Sequence, residues 1–451
     1  MTVENPFGIV EPTPMFQSSY AEIKDSGAAV DVLPANIPKE ATDIDHVDSM
    51  IAQQMSSMTV QDREQAFMDV HGVSPIIEET PELVSSKLEE MESQIQKQHR
   101  REAYDMAESM NPDYVRDPEF RLMFLRSDVF NAYNAALRLI RHFEVKRDLF
   151  GVDKLTQEIT QDDLDQESMD CLYMGHSQQL TTPDRSNRII SLWVSSEDHE
   201  KYSVTALLRR QFYQNMHLLR TNKHAQKDGV VAFLYLLGRD SGNPFPYDTG
   251  LELPRLANAM PMRLVAFHMA HDNKWLAPLI AFIKYSFNLI TRIRIRTHYG
   301  SHNECMASMQ GHGVPPEILP LEEGGIVTNK DSYREYLRGV RRQERIQFPR
   351  RQQIYVPCSY DVLFGKGSSV QTYEGNKRMR RIVTDRQKAY EKAEKGRKVD
   401  VAQEVVDMVH ESSGMFLKQA DDGGEYWVAV DNESARKKVS AAFRTLRIRS
   451  K

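Results

Sequence analysis

Hydrophobic positions recur along this chain with two different periods, and the switches between them predict its elements. Gln61 to Val70 reads as a short helix, broken after it by Gly72 and Pro75. Val84, Leu88, Met91 and Ile95 step by four, three and four, the spacing of one helical face. Thr80 is placed to cap that helix, Pro81 to open it and Asn111-Pro112 to end it. Two further helices follow over 117–150, joined at Arg126-Ser127-Asp128. Phe120, Met123, Phe124 and Leu125 are the apolar positions of the first; Ala132, Ala135, Leu139, Phe143 and Leu149 form the face of the second. The period then changes. Arg188 to Val194 has strand composition, His199 to Arg220 is helical, and Val230 to Leu237 is a continuous apolar run between Gly229 and Gly238, as in a strand covered on both faces. A third strand is predicted from Arg263. Trp275 to Ile290 carries a single charge, Lys284, and is apolar nearly all round, so it is either sandwiched or meets something greasy. Arg292, Arg294 and Arg296 alternate with Ile293, Ile295 and Thr297, which predicts a strand with the three arginines on one face. Gly300-Ser301 turns the chain into a helix over 303–310, and Pro315-Pro316, Pro320 and Gly324-Gly325 close the domain. Helices alternating with buried strands imply an α/β layered domain.

Beyond this domain, Ser332 to Gln347 is a charged helix leading into an arginine-rich linker. A small α+β module begins at Val356. Gly365, Gly367 and Gly375 mark a loop, Asn376 is read as the cap of a helix running to about 395, and a second helix covers about 399–412. A hairpin pairs 415–419 with 426–430 around Asp422-Gly423-Gly424, and Asp431 or Asn432 caps a last helix with Ala435, Val439 and Phe443 inside. At the other end, residues 1–58 are rich in Pro, Ser, Asp and Met without a sustained period and read as a disordered acidic tail. The expected division is thus 1–58 tail, 59–150 helical segment, 151–328 α/β lobe, 329–355 charged helix and basic linker, and 356–451 small basic module.

Composition alters this picture in one respect. Hydrophobic residues at 40% and charged residues at 27% are ordinary for a soluble chain. The net charge of −6, however, hides a gradient: residues 1–110 hold 7 Lys/Arg against 21 Asp/Glu, and residues 332–451 hold 26 against 16. A basic end of this kind suits nucleic acid or anionic lipid, with a protein partner of the C-terminal module also open. Cys171, Cys305 and Cys358 form no disulfide framework and point to a reducing compartment. With no secretory signal and no run long enough to span a bilayer, the expected location is cytoplasmic, with the nucleus also open.

The words in the middle of the chain resemble the Sec14-like (CRAL-TRIO) lipid-binding family. Leu122, Phe124, Leu125, Arg126, Phe130, Ala135 and Leu137 follow the phrase in its small helical N-terminal part. Pro261, Arg263-Leu264, Ala266, His268, Trp275, Lys284, Thr291-Arg292, Gly300-Ser301, Leu319-Pro320 and Gly324-Gly325 follow the order of the C-terminal half of its lobe. The resemblance covers about 115–325. It implies a mostly parallel sheet flooring a cavity, closed by a movable helix, with one phospholipid or similar molecule inside and a transient membrane surface as partner. The gate would be Trp275–Ile290, and the expected pocket and gate residues are Phe267, Met269, Trp275, Leu279, Phe282, Ile283, Phe287 and Ile290. Phosphatidylinositol-binding members carry a Glu at the position of Met262, which cannot accept hydrogen bonds as a carboxylate would. Arg294 and Arg296 are the remaining candidates for a headgroup phosphate. The C-terminal module resembles an uncharacterised domain abundant in predicted proteins of diatoms and related algae, which opens "DVLxGRG…GN…FR"; here Lys366 and Met379 stand for its Arg and Phe.

No P-loop, nucleophile elbow or dinucleotide fingerprint occurs, and no catalytic residue or cofactor is expected. His298, His302 and Cys305 have a spacing that could seat zinc but lack a fourth ligand, so no metal is expected either. The primary expectation is a non-catalytic binder or sensor of a hydrophobic ligand coupled to a basic interaction module. The alternative is a nucleic-acid-associated regulator with the lobe as scaffold, contacting anions through Lys366, Lys377, Arg380 and Arg381.

Overall fold

A computed structural model describes residues 38–195, 201–238, 247–348, 353–394, 396–421, 424 and 426–449. The chain is mixed α/β, with a small separate sheet in the C-terminal module. Among the described residues the chain opens with the helices α1 (Ile44–Ser57), α2 (Val60–His71), α3 (Pro81–Gln96), α4 (Glu102–Met110), α5 (Pro112–Arg116), α6 (Pro118–Ser127) and α7 (Ala132–Phe150). Thr80 does cap α3, its side chain accepting from the Leu83 amide at 3.2 Å. That helix stops at Gln96, short of the expected Asn111, where the Arg101 guanidinium takes up the Ile95 carbonyl. Residues 1–37 lie outside the described residues, but from Lys39 the chain is helical where disorder was expected. Ile44, Val47, Ile51 and Met55 step by three or four along α1, and Val47 is fully buried. The tertiary surface this stripe covers, rather than local propensity, makes the helix.

The lobe follows with α8 (Gln166–Tyr173), β1 (Ser177–Gln179), β2 (Ile189–Val194), α9 (Val204–Thr221), α10 (Lys223–Lys227), β3 (Val230–Tyr235), α11 (Tyr247–Ala259), β4 (Leu264–His271), α12 (Ala277–Ser286), α13 (Leu289–Arg292), β5 (Ile295–Tyr299) and α14 (His302–Gly311). The five strands lie in sequence order; β1 is antiparallel to β2, and β2 to β5 are parallel. Sequential parallel strands joined by right-handed crossovers put every crossover helix on the same side. Here that side carries α9, α11 and α12. The opposite face must be closed by other elements, and α14 and α2 close it: Cys305, Met306, Met309 and Val70 share a core with Ile190, Val231 and Phe233.

The predicted arginine strand is corrected. Arg292 ends a helical turn, Arg294 lies between elements, and only Arg296 is in β5. The physical reason is the end of α12. Arg292 turns back on it, donating to the carbonyls of Lys284, Tyr285 and Phe287 at 2.6–2.8 Å, which satisfies groups that a helix end leaves open.

The lobe ends in a two-stranded ribbon, β6 (Leu321–Glu322) and β7 (Ile326–Val327), and the long helix α15 (Lys330–Gln347). The C-terminal module holds β8 (Val362–Leu363), α16 (Ser368–Thr372), α17 (Glu374–Lys392), α18 (Lys398–Glu411), β9 (Phe416–Gln419), β10 (Trp427–Ala429) and α19 (Asn432–Arg449), with sheet order β10-β9-β8. The hairpin occurs as expected; its Asp422-Gly423 turn lies outside the described residues. Asp431 caps α19 through the Ser434 amide at 2.6 Å. Asn376 does not cap α17. It sits one turn inside and is buried, and its amide exchanges two hydrogen bonds with the Leu363 backbone, at 2.7 and 2.9 Å, tying helix to strand.

Candidate functional site

The crossover face holds a small apolar pocket. Alternate residues of β2, Ser191 and Trp193, point into it, joined by Ala232 of β3 and Leu264 and Phe267 of β4. Leu253, Leu256 and Ala257 of α11 form one wall, Met262 and Phe287 another, and Gln211 and Asn215 come from α9 one turn apart. Its volume is about 30 Å³, room for a water and no lipid. The lining is not purely apolar. Gln211 donates to Asn215 at 2.8 Å, whereas Ser191 Oγ and Trp193 Nε1 are buried with no hydrogen-bond partner. A buried polar group without a partner is uncommon and carries a desolvation penalty of about 1–3 kcal/mol.

Of the expected pocket and gate residues, Phe267 and Phe287 line this space. Met269, Leu279 and Ile283 are buried in the same core, and Phe282 is buried on α12. Trp275 and Ile290 are not inside. They stand 72% and 59% exposed, just before and just after α12. Residues 38–58 lie over the helix: Ile44 packs on its core cluster, Lys284 pairs with Asp48 at 2.8 Å, and Arg292 reaches Gln54 at 2.8 Å. Sequence reasoning missed this cover. Its signal was the stripe from Ile44 to Met55, diluted by Ser, Gln and Asp.

Neither candidate phosphate arginine lines the pocket. Arg294 is buried against Asp69 of α2, at 2.9 and 2.6 Å, and Arg263 reaches the same carboxylate at 2.5 Å. Burial opposes ionisation of Asp69, but the two guanidinium groups outweigh it and hold its carboxyl below the usual range. Arg296 donates to the carbonyls of Ile293 and Ile295 at 2.9 and 2.8 Å.

The expected zinc grouping does not assemble. His302 bonds the Tyr235 hydroxyl at 2.9 Å, and the Cys305 thiol contacts the His298 carbonyl at 3.5 Å. His298 instead meets His268 and His312 on the α14 face of the sheet. Burial, followed by the His312 and Arg296 neighbours, pulls the His298 pKa down to about 4. The three cysteines are unpaired thiols, and burial raises the pKa of each, so none has the character of a nucleophile.

In the C-terminal module Lys366, Lys377, Arg380 and Arg381 are all exposed. Lys377, Arg380 and Arg381 share one face of α17 by their spacing of three and four. Lys366 sits in the loop between Gly365 and Gly367, whose φ angles of 149° and 110° suit glycine. Residues 361–445 match a domain of unknown function (DUF6824). A search of curated proteins finds no match to the chain. The DUF6824 domain is bound to the lobe through buried charge. Arg345 of α15 donates to Asp162 at 2.8 and 3.0 Å and to Asp361, the first matched residue, at 2.7 and 3.1 Å; Arg341 adds bonds to Asp162 at 2.8 and 2.6 Å. Asp361 is fully buried and also accepts from the amides of Cys358 and Met415, so the domain's first strand and the lobe share one network. Beside it lies a cleft of about 300 Å³ lined by Tyr173, Arg338, Arg342, Tyr360 and Ser412.

Proposed function

We propose that the lobe binds a single hydrophobic ligand with a polar end, a phospholipid or a molecule of similar chemistry, between the sheet and helices α11 and α12, without catalysing a reaction. The observation that carries this reading is the pair of orphaned polar atoms, Ser191 Oγ and Trp193 Nε1, in a mostly apolar pocket walled by α11 and by Phe287 at the end of α12. A site that small in the closed form accepts a lipid by displacement of α12. The cover over α12 is attached by a short apolar stripe with the buried Val47, by the Lys284–Asp48 pair and by the Arg292–Gln54 bond, and Trp275 and Ile290 beside it are exposed and available to a membrane surface. The order of the words from Leu122 to Gly325, which follows the Sec14-like lipid-binding family, supports the same reading.

The test is transfer of a fluorescent phospholipid from donor vesicles to the full chain. Saturable uptake is expected, lowered at least tenfold when Ser191→Phe fills the pocket. Equal uptake by both proteins, or none by either, contradicts the reading.

A second reading is favoured by the exposed Lys377, Arg380 and Arg381 on one face of α17, with Lys366 exposed in the glycine loop that precedes it. In it the DUF6824 domain binds a nucleic acid backbone. Affinity of the full chain for DNA or RNA then falls steeply with salt, and replacing the four residues by Ala lowers the salt slope. No binding at low salt ends this reading.

A further inference from the structure

The α14 face of the sheet carries a cluster that neither the pocket nor the DUF6824 domain uses. β4 and β5 pair in parallel with Ala270 opposite His298, and residues two apart on a strand share a face, so His268 and His298 lie on the same side. The turn after α14 brings His312 over both. Ring centroids are 5.1 Å apart for His268–His298, 4.8 Å for His268–His312 and 5.6 Å for His298–His312. One ring nitrogen from each lies within 4.8 Å of the others.

We propose that His268, His298 and His312 form a binding site for a late first-row transition metal ion of the zinc class. Proton accounting supports it. His298 Nδ1 meets Ser308 Oγ at 2.7 Å; when it donates there, the His298 Nε2 lone pair faces His268 Nδ1 at 2.9 Å. His268 Nε2 and His312 Nδ1 are then left buried with no partner, and His268 is fully buried. Three neutral imidazoles bring three protons and three lone pairs, and the contacts at Ser308 and between His268 and His298 leave two buried ring nitrogens unused. A cation that takes nitrogen ligands gives such buried nitrogens a partner.

The donor set selects the ion. The cluster holds imidazole nitrogens and no carboxylate, which suits zinc, cobalt, nickel or copper and rejects magnesium and calcium. Tetrahedral ligand nitrogens about such an ion stand about 3.3 Å apart, from metal–nitrogen bonds of about 2.0–2.1 Å, so small ring rotations close the site. Ser308 plays the orienting role that an outer-shell acceptor has for a metal-bound histidine. The nearby cation Arg188 is engaged elsewhere, by Asp184 and the carbonyls of Asp69, Val70 and His312, so it does not compete for the ring nitrogens. Its charge and that of Arg296 favour an anion in the fourth position. His71 of α2 stacks on His312 at 5.0 Å, so the ion would join α2, α14 and the two edge-most parallel strands.

The experiment uses the full chain, without a polyhistidine tag, stripped by chelator and titrated with Co(II) and Zn(II). One equivalent retained after desalting is expected, with the visible absorption of tetrahedral Co(II). His312→Ala, the least buried of the three positions, should lower affinity by more than about a hundredfold, beyond what losing an outer-shell partner does, and Ser308→Ala by about tenfold. Circular dichroism checks that both variants stay folded. Failure of the parent chain to retain metal, or unchanged affinity in a folded His312→Ala, overturns the proposal.

Discussion

The crossover face and the α14 face of the sheet are both fully covered, but by different chemistry. On the crossover face the outermost layer is α1, laid over α12 with an apolar stripe and the Lys284–Asp48 pair, whose Asp48 side chain is 53% exposed. On the α14 face α2 is fixed by Asp69, which is buried and shared by Arg263 and Arg294, while Arg188 takes the Asp69 and Val70 carbonyls at 2.8 and 3.0 Å. Exposed pairs contribute little and release readily; a buried charge deprived of its partner is expensive. The difference predicts that the crossover face opens more readily than the α14 face, as the proposed ligand gate on a fixed floor would require.

Removing the fixed contact should have the largest effect. Asp69→Ala leaves two guanidinium groups without a counter-charge and should destabilise the chain by about 3–5 kcal/mol in urea titration. A loss below 1 kcal/mol would erase the contrast between the faces. The junction with the DUF6824 domain applies the same chemistry a second time. Burial opposes the Asp162 charge, but Arg341 and Arg345 overcome it and hold its carboxyl well below the ordinary 3.8. A lowered carboxyl pKa stabilises the fold above the unfolded value, so this contribution is complete above about pH 4 and is lost as pH falls further. Asp162→Asn should be destabilised by about 3 kcal/mol at pH 7, and the gap to the parent should narrow in acid. A gap independent of pH down to pH 2 would contradict the ion-pair account. On the crossover face, Lys284→Ala should cost about 0–1 kcal/mol yet speed lipid uptake, because it loosens α1 from α12. Unchanged uptake rates would show that α1 is no restraint. The smallest effect on stability belongs to Trp275→Ala, near zero by urea titration, since the ring is exposed; binding to vesicles should nonetheless weaken.

Most strands and helices were legible because their periods are strong: Val230–Leu237 announces burial on both sides, whereas the single helix expected over Trp275–Ile290 is broken after Ser286, where Asn288 caps α13, and both its ends are exposed. What buried them was not. The cover α1 has an apolar stripe too narrow and too interrupted to register beside its Ser, Gln and Asp neighbours. The alternation from Arg292 to Arg296 imitates a strand, yet its first member is a helix-end cap and its second an ion-pair partner for a residue more than two hundred positions away. Of the pocket, Phe267 and Phe287 were readable from their apolar elements. Ser191, Trp193, Gln211 and Asn215 were not, because only the register of β2 and the docking of α9 aim them inward. The histidines at 268, 298 and 312 share the same history: the spacing from His298 pointed to His302 and Cys305, whereas the strand pairing chose His268.

The central claim, a ligand between the sheet and α12, is tested most directly by purifying the full chain from cells, extracting it with organic solvent and identifying the extract by mass spectrometry. The account predicts one class of hydrophobic molecule with a polar end, in amounts matching the protein and absent from Ser191→Phe. An extract without such a molecule, from a protein that also takes none up when offered vesicles, would contradict it.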